Sequence, residues 1–178
     1  MASYRNLIAI DLASYGSAFL LINQFCDDDE IKVFEISPIG QAGLLIFLIK
    51  DPIAAEVLKN EIESLFKCHI LSICLLKNFD QNLLPIYLSQ NKTPILKSIL
   101  IQEFSFVSKA LEAAAQILEQ KLQLVDFRIV RTYPLNAVIV STAVEDKLLF
   151  DISVLASAKS SVVIENVSPV LKTYFEIT

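Results

Sequence analysis

With 178 residues the chain can hold one medium domain or two small ones of about 90 each. Its 15 Lys and Arg against 20 Asp and Glu give a net charge of −5, and no basic stripe interrupts that balance, so nucleic acid is excluded as a partner. The hydrophobic fraction of 54% would suit a membrane, but the longest charge-free run, Leu12 to Cys26, contains Ser14, Gly16, Ser17, Asn23 and Gln24 and falls short of the roughly 20 apolar residues a spanning helix needs.

No membrane partner is expected. Asp11 breaks the first apolar stretch and no small-residue cleavage site follows, so a cytoplasmic chain is expected. A mean hydropathy of +0.54 must then be absorbed inside the domains or between subunits, and small domains have limited interiors, which favours an oligomer.

In chain order, Leu7 to Ala13 reads as a strand apolar on both faces, followed by a helix that Ser14 or Ser17 can cap, with Phe19, Leu20, Ile22 and Phe25 as its core side. Asp27-Asp28-Asp29-Glu30 ends that helix, because four acids oppose the dipole at a helix C-terminus. The acids read as a solvated turn or, as the sharper alternative, a cation site without EF-hand spacing. Ile31 to Ile36 and Gly43 to Ile49 are strands joined by Ser37-Pro38-Ile39-Gly40-Gln41-Ala42, and this region holds two of the three glycines. Pro52 opens a helix over Ile53 to Phe66, and a strand from His69 to Leu76 and a short helix from Gln81 to Leu88 follow.

Ser89 to Pro94 reads as a linker. Beyond it lie a strand from Ile95 to Gln102, a helix from Val107 to Gln120, a strand from Gln123 to Val130, a turn over Arg131 to Asn136 and a strand from Ala137 to Thr142. A helix from about Val144 to Ala156, a strand from Ser161 to Val167 and a tail of the same character as Leu83 to Tyr87 complete the chain. The second series repeats the order of the first at an offset of roughly 92 residues, so two domains are expected, 1–90 and 95–178. The expected fold class is α/β (α+β), each domain a small, mostly antiparallel sheet covered by helices. Two fused copies of one domain point to a symmetric assembly.

Catalytic constellations are thin. His69 is the single histidine, and the chain has neither a G-x-S-x-G elbow nor a P-loop nor a G-x-G-x-x-G. Cys26, Cys68 and Cys74 lack C-x-x-C spacing and read as reduced thiols, with Cys68 and Cys74 in the core. Asp11 and Glu103 fall at equivalent strand ends. They could do acid–base work if they faced each other, or each could satisfy backbone donors at a turn.

The doubled order, with Ile10-Asp11-Leu12 before an apolar helix, Ser37 to Leu45 at the hairpin and Asn78 to Pro85 closing the first half, resembles the tandem BMC-domain shell proteins of bacterial microcompartments. The resemblance implies a homotrimer of six domains that mimics a hexamer, a structural protein with no catalytic residues, metal or cofactor. Its central pore for small metabolites would be lined by Pro38, Ile39, Gly40, Gln41, Ala42 and Gly43 in the first half and Tyr133, Pro134, Leu135 and Asn136 in the second. Partners would be further copies and other shell proteins. Members that hold an iron–sulfur cluster use a cysteine in the first pore turn, where this chain has Gly40, so no cluster is expected. Where the family carries a tiling lysine near the end of the first helix, this chain has Asp27 and, in the second half, about Glu119, acids that repel at a like-against-like edge. The alternative is a divergent trimeric small-ligand-binding or regulatory module that does not tile. An enzyme is not expected.

Overall fold

The computed structural model describes residues 4–26, 29–90, 93–132, 135–143 and 157–177. Eight strands are present among them: β1 (Asn6–Leu12), β2 (Ile31–Ile39), β3 (Ala42–Ile49), β4 (Ile70–Leu76), β5 (Ser98–Phe104), β6 (Gln123–Thr132), β7 (Leu135–Ala143) and β8 (Ser160–Ile164). They form two four-stranded antiparallel sheets of matching order, β2-β3-β1-β4 and β6-β7-β5-β8. The fold is thus mixed α/β, with one sheet in each half of the chain. The expected helix over Val144 to Ala156 falls outside the described residues.

β1 is buried along its whole length because both of its faces are covered. Ile8, Ile10 and Leu12 point into a core shared with Leu45, Phe47 and Ile49 and with two helices, α1 (Tyr15–Phe25) and α2 (Pro52–Leu65). Leu7 and Ala9 point the other way, into a core built jointly with the second half. Strand alternation sorts successive side chains to these opposite sides. The joint core also takes in α3 (Leu83–Tyr87) and α4 (Val107–Glu119), and its aromatic contacts cross the halves, with the Tyr87 and Phe127 ring centroids 5.1 Å apart. A third, smaller cluster gathers Ile95, Ile99, Val125, Val140 and Val167 beside α5 (Pro169–Ile177).

Local chemistry sets most helix starts. Ser14 Oγ accepts from Ser17 N at 3.3 Å at the head of α1, and Asp51 accepts from Ala54 N at 2.6 Å at the head of α2, where Pro52 occupies the first turn. The apolar side of α1 differs from expectation. Ser17, Ala18 and Leu21 are its buried residues, whereas Phe19 and Leu20 face outward, more than half exposed. Composition alone could not tell which stripe of a charge-free helix, with apolar residues on several sides, meets the sheet. Cys68 is likewise exposed, in a one-turn 3₁₀ helix (Lys67–His69) ahead of β4, and only Cys74 is a core thiol, its pKa pushed up to about 12 by burial. His69 sits in the same turn, where its Nδ1 lies 2.9 Å from Ser17 Oγ, which in turn lies 2.9 Å from Ser14 Oγ. That chain of contacts ties the head of α1 to the entry of β4.

β2 runs three residues further than its apolar pattern suggested, through Ser37, Pro38 and Ile39. Pro38 is tolerated because β2 is an edge strand, with no neighbour on its outer side among the described residues. Pro38 pairs with Gly43 and Ile39 with Ala42, which leaves Gly40 and Gln41 as the turn, Gly40 at φ +59°. Gly43 answers a different need, because the backbone of α1 crosses directly over it. A Cβ at position 43 would lie 2.8 Å from Tyr15 Cα and 3.0 Å from Ser14 O. Since backbone rather than a movable side chain is in the way, Gly43→Ala is expected to cost about 1–3 kcal/mol, seen as a lower Tm in thermal unfolding with the secondary structure unchanged.

Candidate functional site

The β2–β3 turn opens onto a cleft of about 750 Å³ between the two halves. The first half contributes Ile39, Gly40, Gln41 and Ala42 from the turn, Ala13 from the end of β1 and Leu71 from β4. The second contributes Ser105, Phe106, Asn136 and Lys159. Asn136 is held in place by its own amide, whose Nδ2 donates to Ser105 O at 2.6 Å. The Lys159 segment is pinned by its backbone, with Lys159 N donating to Glu103 O at 2.7 Å. The walls thus combine apolar side chains with turn backbone, the amides of Gln41 and Asn136, the Ser105 hydroxyl and one exposed cation. Such a surface can meet a small polar solute through N–H and C=O groups, and its described residues offer no paired acid and base. Among the described residues, no group of three or more His, Cys, Asp or Glu is gathered for a metal.

Beneath this cleft lies the contact that joins the halves. Asp11, at the end of β1 and buried, accepts from Val107 N and Ser108 N, each at 2.9 Å, through its two carboxylate oxygens. These are the first-turn donors of α4, whose N-cap residue Phe106 has no side-chain acceptor to offer. The carboxylate of one half thereby caps a helix of the other, where orphan donors and the positive end of the helix dipole favour an anion. Ser108 Oγ donates to Ser72 Oγ at 2.7 Å alongside. Burial raises the Asp11 pKa above its ordinary 3.8, opposed by the hydrogen bonds from Ser108 and Val107.

Of the residues expected at a pore, the structure brings Ile39, Gly40, Gln41, Ala42 and Asn136 to the cleft. Pro38 is exposed beside it, Gly43 is buried under Tyr15, and Leu135 begins β7, while Tyr133 and Pro134 lie outside the described residues. Asp11 and Glu103 do not face each other. Asp11 serves α4, while Glu103 accepts from Ser160 Oγ at 2.5 Å on the second sheet. Ala13, Leu71, Ser105, Phe106 and Lys159 were missed as cleft residues because they converge only when the halves pack. One signal for the capping contact was present: a helix headed by Ser105-Phe106-Val107 lacks an acceptor at its N-cap position, so its acceptor had to come from elsewhere.

Comparison with solved structures places this architecture. A microcompartments protein from Desulfitobacterium hafniense DCB matches at a TM-score of 0.75 with 15% identity, over 94% of this chain and 98% of that one. At that identity the likeness is one of fold, and it extends across both halves. A putative glycine cleavage system transcriptional repressor aligns with a TM-score of 0.32 at 11% identity, over 90% of this chain and 98% of that one, too low for any inference. No protein-family model and no curated protein matches the sequence. No helix among the described residues is long and apolar enough to cross a membrane.

Asp11→Ala leaves the α4 donors buried without their acceptor and is expected to cost about 1–3 kcal/mol in urea unfolding. The pH dependence has a defined sign. An acid whose pKa rises on folding favours the fold below the unfolded value of 3.8, and this contribution fades as pH rises through the raised folded value. Asp11→Asn cannot titrate. Its stability deficit relative to wild type is therefore expected to be larger at pH 4 than at pH 7, measured by parallel denaturant curves.

Proposed function

We propose that this chain is a structural, shell-type protein of a bacterial microcompartment, in which three copies close a pseudohexameric ring around a central pore for small metabolites. The observation that carries the reading is the fold match to a microcompartments protein over nearly the full length of both chains. Two features of the chain support it. The two sheets share one strand order, so three copies supply six similar units to a ring. The β2–β3 turn presents Gly40 and Gln41, exposed, at a cleft whose polar groups are largely backbone and amide. In this reading the chain is non-catalytic, needs no cofactor, works in the cytoplasm within the compartment, and has further copies and other shell proteins as partners.

Glu119 ends α4 exposed to solvent, so an acid occupies that tile edge. This favours a ring whose edge contacts weaken at low salt, where like charges are least screened. The cleft volume falls in the range of small-molecule sites, which supports a second reading, a trimer that binds a small ligand without tiling. Light scattering is expected to give three times 19.9 kDa, and a monomer at every concentration would sink both readings. Extended sheets in electron micrographs of overexpressed protein support the shell. Their absence, together with a metabolite-dependent rise in Tm, supports the ligand module.

A further inference from the structure

Within one chain, α4 covers a seat on the first sheet made by Ala9 and Asp11 of β1 and Ser72 and Cys74 of β4. The second sheet carries the same seat, by strand register, in Ile101 and Glu103 of β5 and Ser160 and Val162 of β8: Asp11 pairs with Ser72 and Ala9 with Cys74, as Glu103 pairs with Ser160 and Ile101 with Val162. The first seat is closed and the second is open. Cys74 is 4% exposed and Asp11 2%, whereas Val162 is 52% exposed and Ser160 lies at the surface.

The helices show the complementary difference. Counted from their first residues, Tyr15, Gly16, Phe19 and Asn23 of α1 match Val107, Ser108, Leu111 and Ala115 of α4. All four α4 residues are buried and all four α1 residues are exposed, with Phe19 at 51% against Leu111 at 0%. Among the described residues, one helix thus has a seat and the other, of the same register, has none, while one seat has no helix over it. The two cannot meet inside one chain, because α1 packs on the first sheet through Ala18 and Leu21.

We infer that α1 of one copy docks on the β5–β8 seat of the next, with Phe19 against Val162 and the Glu103 carboxylate capping the Tyr15 and Gly16 N–H groups. The side chains fit this pairing. Glu103 is one methylene longer than Asp11, and it meets Gly16 where Asp11 meets the bulkier Ser108. Ser160 has no hydroxyl partner at position 16, and its Oγ already donates to Glu103. A carboxylate meeting a helix N-terminus supplies the charge complementarity, and an exposed edge-to-face aromatic pair, Tyr15 and Phe19 with ring centroids 5.3 Å apart, supplies the apolar anchor. The contact is head-to-tail, the kind of interface that generates a ring when its rotation closes, as the trimeric reading requires.

This inference rests on the trimeric reading and names the surface that holds it together. Phe19→Asp, Val162→Asp and Glu103→Lys alter exposed or half-exposed side chains, so each monomer is expected to fold, checked by circular dichroism and thermal unfolding. Each of the two aspartate variants is expected to raise the concentration at which the trimer dissociates by roughly 30-fold or more, and Glu103→Lys by about 10-fold, in sedimentation and light scattering. Ile53→Asp, on the exposed side of α2 away from this seat, is expected to leave the dissociation unchanged. A wild-type protein that is monomeric throughout overturns the trimer itself. A trimeric wild type whose dissociation is untouched by Phe19→Asp and Val162→Asp overturns this interface and leaves the trimer standing.

Discussion

The two halves depend on one buried carboxylate. Asp11 is placed by β1, the strand whose two faces feed two different cores, so packing on both sides of the strand fixes its position. Taking an anion out of water is costly, and what offsets that cost is a pair of backbone donors at the head of α4, 2.9 Å away, together with the dipole behind them. The exchange works in both directions. α4 begins at a residue that cannot cap it, and the helix that buries Asp11 also brings the donors that compensate it.

This dependence explains why the joint core is contiguous across the halves. With α4 anchored over β1 and β4, its alanine-rich face, Ala110, Ala113, Ala114 and Ala115, allows close approach to both sheets, and Leu111 and Ile117 fill the remaining space. Tyr87 then reaches Phe127 and Phe34 from α3, closing the far end. The cleft at the β2–β3 turn lies at the end of the strands where Asp11 and Phe106 meet, so its shape follows from the same capping contact.

Much of the fold is legible from pattern. The strand–helix–hairpin order, the boundaries of α2 and α4 and the glycines at the hairpin are set by local periodicity, a capping Asp51, a proline at the first helical turn and turn chemistry. Features that depend on what lies across an interface are not legible locally. The outward stripe of α1, Phe19 and Leu20, and the inward Ser17 carry no local sign of their placement, because hydropathy ranks residues by what they would gain from burial, not by where a partner surface stands. Pro38 inside β2 is similar, since its tolerance depends on β2 being an edge.

The amino-acid sequence by itself determined the α/β class, the doubled element order, the acidic and non-basic surface and the hairpin whose turn meets the cleft. Each follows from short-range constraints of period, turn conformation and charge count that hold in any context. Only the tertiary structure decided that Asp11 and Glu103 part company, one capping a helix 96 residues away and the other left with Ser160 at an open seat. A carboxylate at a strand end has the same local chemistry in both copies. What distinguishes them is whether a helix N-terminus has been folded against it, and that is a property of how the halves pack.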